Sequence, residues 1–169
     1  MYIDIRMWRQ ISERLKDYPG RLRVARALVE LGLSVRDGRI FCGEIEQSEL
    51  KVARAVGVDR RTVRETADFI GSDPVLQSVF KGLKPAGPFL PKVAKYLGYR
   101  VIEIYADPHE VGIVAEATGL ISKEGISIRQ AFADDPDLTP EPKLTLVVER
   151  EPSGDALQKM LKIPGVTKV

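Results

Sequence analysis

The sequence predicts an α+β protein in two parts. The first is mainly helical, and the second has the order strand, helix, strand, strand, helix, strand. Three observations predict this. Apolar residues recur at helical spacing from Ile3 to Ile70. From Tyr99 onward β-branched runs alternate with two amphipathic stretches. The charge divides at the same place: residues 1–98 carry 18 Lys and Arg against 12 Asp and Glu, a net +6, and residues 99–169 carry 8 against 12, a net −4. A basic part joined to an acidic part suggests different partners, a polyanion for the first. The plain alternative is a chance split between two solvated surfaces.

Ile3, Met7, Ile11 and Leu15 mark a first helix, with Pro19-Gly20 ending the segment. Leu22, Ala25, Leu28, Val29 and Leu31–Leu33 mark a second, with Gly32 near its end. Asp37-Gly38 is a turn signal ahead of a short β-prone run, Arg39 to Cys42. The stretch 46–70 then reads as helix, tight turn, helix. Ser48 is placed to cap the first of these, whose buried face carries Val52, Ala53 and Val56. Gly57 supplies the backbone freedom where that helix stops. Asp59 is placed as the next N-cap, and Val58 with Val63 forms a hydrophobic staple across it. Ala67 and Ile70 continue the buried face, and Gly71 to Pro74 closes the unit. Val75–Phe80 is one helical turn or two, and Leu90–Leu97 a short helix ending at Gly98.

From Tyr99, YRVIEIYA is a strand. HEVGIVAEATGLISKEG is a helix with Val111, Val114, Thr118 and Ile121 on one side. ISIRQAFA alternates, placing Ile126, Ile128 and Gln130 on one face. DDPDLTPEP is a polar loop, KLTLVVER a third strand, GDALQKMLKI a second helix and GVTKV a last strand. This order is that of a ferredoxin-like arrangement, two helices on one face of an antiparallel sheet.

Ala53, Gly57 and Val63 have the spacing of a helix-turn-helix, and the sequence here resembles that motif of prokaryotic regulators. The resemblance implies that the second helix enters the major groove by its N-terminal end, with Arg60, Arg61, Arg64 and Glu65 facing DNA. Arginine suits both phosphate contact and bidentate reading of guanine. Thr66 departs from the pattern, standing where the family usually keeps an aliphatic core residue.

Residues 101–134, with Gly112 in the first loop, Gly125 before the next strand and Ile126-Ser127-Ile128 opening it, resemble the ACT domain, a regulatory module of amino-acid metabolism. The resemblance implies side-by-side pairing of two copies and a free amino acid bound where this loop meets the neighbouring sheet. The ligand carboxylate would meet the N–H groups of Val111, Gly112 and Ile113 at the helix start. Asp107 would meet its ammonium, with His109 and Ser127 nearby. His109 stands where the family often has aspartate, and Ser127 where it has asparagine. The whole order resembles archaeal proteins described as predicted regulators of amino-acid metabolism. It divides the chain into a helix-turn-helix domain over 1–70, a helical connector over 71–98 and an ACT-like ligand-binding and dimerisation domain over 99–169.

Other classes are disfavoured. No apolar run approaches the roughly 18–20 residues of a membrane span, and MYIDIRMWRQ has no signal-peptide core. Cys42 is the one cysteine and His109 the one histidine, which argues for a reducing compartment, the cytoplasm, and against a zinc site. No phosphate-binding loop, dinucleotide fingerprint or nucleophile setting occurs, so enzyme activity and a cofactor are not expected. The expectation is a homodimeric transcriptional regulator of amino-acid metabolism. It would bind DNA through 48–70 and respond to an amino acid or related metabolite. The alternative is a regulatory subunit or scaffold that contacts an enzyme and binds no DNA.

Overall fold

A computed structural model describes residues 7–169; Ile3 of the first helical pattern lies outside the described residues. The protein is α+β, with two antiparallel sheets. It divides into two compact units, one ending at Gly87 and one spanning Pro88–Val169. The expected connector over 71–98 is thus shared between them. Among the described residues no helix is long and apolar enough to cross a membrane.

The first unit runs α1 (Met7–Leu15), α2 (Pro19–Glu30), β1 (Ser34–Arg36), β2 (Arg39–Cys42), β3 (Ile45–Gln47), α3 (Glu49–Val56), α4 (Arg60–Ser72) and α5 (Pro74–Gly82). Pro19 opens α2 rather than ending the segment before it, because a first helical position needs no N–H donor. The second helix stops at Glu30, earlier than its apolar run. Gly32 takes φ 62°, and a Cβ there would lie 2.5 Å from the Lys84 carbonyl oxygen. Asp37 (φ 50°) and Gly38 (φ 71°) turn β1 into β2 with positive φ at both central residues, the geometry that suits a two-residue hairpin. Strand β3 was not expected: Ile45 is exposed and no apolar alternation marks it.

Gly71 and Ser72 continue α4 instead of closing the unit. Asp73 then caps α5, accepting from the N–H groups of Val75 and Leu76 at 2.9 and 3.0 Å, and Pro74 takes the first helical position. Leu76 and Phe80 are fully buried in the core with Ile11, Leu15, Val24, Leu28, Val63 and Ile70. Each such side chain contributes about 1.5–3 kcal/mol by leaving water, so α5 belongs to the first unit.

The second unit contains a 3-10 turn (Ala94–Leu97), β4 (Arg100–Ala106), α6 (Ile113–Lys123), β5 (Ile128–Ala133), β6 (Lys143–Val148), α7 (Gly154–Met160) and β7 (Val166–Lys168). The strand order is β5-β6-β4-β7, with every neighbour antiparallel. Ile113, Ala117 and Ile121 of α6 and Met160 of α7 pack with Ile102, Ile104, Leu144, Leu146 and Val148, one face of the sheet. The stripe expected on α6 holds at Ile121, which is fully buried, and fails at its first two positions. Val111 precedes the helix and is 86% exposed, and Val114 is 48% exposed. Two apolar stripes overlap in this stretch, and the sheet selects the one through Ala117.

The expected alternation in β5 also fails. Ile128 pairs with Val148 but Gln130 pairs with Val147, so a bulge at Arg129 puts Ile128 and Gln130 on opposite faces. Gln130 thereby meets the segment before β4: its side chain accepts from the Leu90 N–H at 3.0 Å and donates to the Pro88 carbonyl at 2.8 Å. Phe89 packs edge-on against Phe132, with ring centroids 5.2 Å apart. This segment crosses the face opposite the helices, where Thr145 and Val147 are buried.

Candidate functional site

The α3–α4 corner follows from a few residues. Gly57 ends α3 at φ 71°, ψ 43°, which lets the Val58 N–H reach the Ala53 carbonyl at 3.0 Å. Asp59 caps α4, accepting from the Thr62 N–H at 2.8 Å and its hydroxyl at 2.7 Å. The Thr62 hydroxyl bond and then the Thr62 N–H hold the Asp59 carboxyl below its ordinary range. Val63 is fully buried and Val58 packs against the same core. Thr66, the departure noted above, is fully buried too. Its hydroxyl donates to the Thr62 carbonyl at 2.7 Å, which satisfies the polar atom inside the helix. Ser48 occupies the N-cap position of α3 but makes no side-chain cap bond; its carbonyl accepts from Lys51 and Val52 instead.

Arg60, Arg61 and Arg64 share the solvent face of α4, with side chains 60%, 86% and 55% exposed. None of the three is a free cation. Glu49 accepts from Arg60 Nε at 2.8 Å and from Arg64 Nε and Nη2 at 3.0 Å each. Glu65 accepts from Arg61 Nε at 2.7 Å and from Arg21 Nη2 at 2.7 Å. The bonds from Arg64 and then Arg60 hold the Glu49 carboxyl below its ordinary range, and those from Arg21 and then Arg61 do so for Glu65. Glu65, expected to face DNA, thus works first as a partner of two arginines.

In the second unit a cavity of about 140 Å³ opens between the end of β4, the start of α6 and the β5–β6 loop. Apolar walls come from Ile104, Ile113, Val114 and Leu144, and carboxylates from Asp107, Glu110 and Asp134. Lys143 also lines it, but its ammonium is bonded to Glu103. Of the expected ligand residues, Asp107 and Ile113 line the cavity. Asp107 accepts from the His109 N–H at 2.9 Å, and its own N–H donates to the Gly165 carbonyl at 3.0 Å, which fixes the loop.

His109 is exposed and outside the lining. Gly112 is the N-cap of α6 at φ 93° with no side-chain cap bond, so the first-turn donors start at Ile113. Val111 is thereby removed from the expected donor set. Ser127 lies at the Val148 end of β5, whereas Ala133 at the other end lines the cavity. Six strand residues at about 3.4 Å each put roughly 20 Å between them. One chain does not bring Ser127 to Asp107.

Sequence reasoning missed Glu49, Arg21, Glu110, Asp134 and Lys143. Glu49 meets residues 11 and 15 positions away, across a corner whose angle no periodicity encodes. Asp134 comes from a loop with no pattern of its own. Among the described residues no group of three or more His, Cys, Asp or Glu is placed to hold a metal ion. No family model and no curated protein matches the chain.

Proposed function

We propose that the protein is a non-enzymatic, ligand-responsive DNA-binding regulator of amino-acid metabolism. In this reading the α3–α4 corner is a helix-turn-helix, and the second unit is an ACT-like sensor that pairs two copies. The observation that carries the reading is the corner itself: a left-handed Gly57, an Asp59 cap and three arginines together on the exposed face of α4. An arginine face at a helix start suits phosphate and the major-groove edge of guanine.

The strand order β5-β6-β4-β7 with both helices on one face supports the ACT-like half. Strand β5 is an edge, and two copies paired antiparallel along it would set the start of one β5 beside the end of the other. That pairing would carry Ser127 of the second copy towards the cavity lined by Asp107, where the carboxylates favour a ligand with an ammonium group.

Salt-dependent retention on a DNA or heparin column tests the first half. Replacing Arg61 and Arg64 by alanine should weaken duplex binding about 10-fold or more and flatten its salt slope by about two ions; unchanged binding would remove α4 from the reading. One observation favours the alternative, a regulatory subunit or scaffold without DNA: each arginine of the face already has a carboxylate partner. Retention that ignores salt would decide for it.

A further inference from the structure

We propose that Glu49 is a positioning residue for the arginine face of α4, fixing the plane of Arg64 and anchoring Arg60 on the same carboxylate, so that duplex DNA is read by sequence rather than held by charge alone. The inference rests on the DNA reading above and adds a residue to it. Glu49 stands at the first position of α3 and binds both arginines from below. Its side chain is 25% exposed while theirs are 60% and 55% exposed.

The contacts use the inner edge of each guanidinium: Nε of Arg60, and Nε with Nη2 of Arg64. A guanidinium carries five N–H donors in a rigid plane. Two bonds to one carboxylate fix the plane of Arg64, one bond anchors Arg60 at Nε, and the terminal Nη edge of each stays open. That edge can pair bidentately with guanine O6 and N7 or with a phosphate. A guanidinium already held in place loses less rotamer freedom when it meets a base. Together with Arg61 the pair lines one surface hollow.

The arrangement also removes charge. Two cations over one carboxylate present a net single positive charge, which grips phosphate less tightly than two would. Arg61, like Arg60, is held only through Nε, but it is 86% exposed and its partner Glu65 lies four residues along the same helix. It suits a phosphate contact that needs no fixed plane, and Arg64, its plane fixed and Arg60 anchored on the same carboxylate, suits base reading.

Glu49→Gln keeps the shape and removes the charge and one acceptor. A duplex library with about 20 randomised base pairs is enriched on the wild-type chain. Affinities for the enriched and a random duplex are then measured from about 50 to 200 mM salt. The variant should bind the random duplex about 5-fold tighter, with a salt slope steeper by about one ion. Its preference for the enriched duplex should fall about tenfold, within the discrimination one bidentate pair supplies.

A Glu49 that only fastens α3 to α4 would lower both affinities together and leave their ratio unchanged, and that result overturns the proposal. The ratio does not depend on how much of the variant is folded. Wild-type binding without any enriched sequence overturns the proposal and leaves DNA binding standing. No salt-dependent binding by the wild type overturns both.

Discussion

The starts of α4 and α6 are built in opposite ways. At α4 the cap is filled by Asp59, which takes the Thr62 N–H and hydroxyl, and the residues that project are arginines. At α6 the cap is Gly112, which has no side chain to offer, and the residues around it are acidic: Asp107, Glu110 and Glu116. A partner at α4 must be recognised by side chains, and by cations. A partner at α6 has first-turn N–H donors and carboxylates in the same place. Under the proposed reading that combination suits a zwitterion, its carboxylate on the helix start and its ammonium on the acids. Under the same reading the two starts would separate a surface for a polyanion from a cavity for a small molecule, in keeping with the opposite charges of the two parts of the chain.

The strongest test of that contrast is a thermal-shift panel of the twenty amino acids and simple amines on the whole protein. A ligand at about a hundred times its Kd adds about 2.7 kcal/mol. For a unit the size of Pro88–Val169 that is a rise of about 10 °C or more. A zwitterion that raises the midpoint while its deaminated and decarboxylated analogues do not would sharpen the contrast. Amines acting as well as amino acids would move recognition from the helix start to the acids alone. A flat panel would leave α6 without a ligand and break it.

Gly112→Ala comes next. At φ 93° an L-residue is strained, and the added Cβ would meet only Glu116 Oε1 at an ordinary 3.6 Å, so the cost lies in the backbone. A loss of about 1–3 kcal/mol in urea unfolding is expected, together with the loss of any ligand shift. Unchanged stability would mean that the α6 start does not depend on positive φ. Asp59→Ala should be milder, lowering the midpoint of the first unit by about 5 °C, with Asp59→Asn closer to wild type. If Asp59→Ala costs more than Gly112→Ala, the view of α4 as conventionally capped and α6 as the strained start is reversed.

The α4 corner was legible because its signals are local. Gly57, Val58, Asp59 and Val63 lie within seven consecutive residues, so spacing alone places them. The turn at Asp37-Gly38 was legible for the same reason. The α6 region was read less well because its cues are tertiary. Val111 and Val114 lead to Ile121 as well as Ile113 and Ala117 do until a sheet is present to choose. The Arg129 bulge shifts faces without any glycine or proline to announce it. The carboxylates that pair with the arginines were visible as residues but not as partners, since Glu49 reaches Arg60 and Arg64 only after α3 and α4 have crossed.

The smallest expected effect concerns these carboxylates, and it sets two readouts moving in opposite directions. Glu49 and Glu65 are held below the ordinary value of 4.5 by hydrogen bonds from arginines. As pH falls the unfolded chain takes up their protons first, so their contribution to stability is complete above about 4.5 and is lost as pH drops through the depressed folded values. The double variant Glu49→Gln, Glu65→Gln should therefore lose less stability between neutral and acidic pH than the wild type, by urea midpoint. The acid dependence that remains includes Glu124 of the second unit, which the Ser153 hydroxyl and N–H hold down. Protonating Glu49 also leaves Arg60 and Arg64 without their counter-charge. Retention on heparin at fixed salt should then rise over the same pH window in which stability falls, and it should rise less in the double variant. Retention that follows stability downward in the wild type but not in the double variant would show that the arginine face depends on its carboxylates for shape and not for charge.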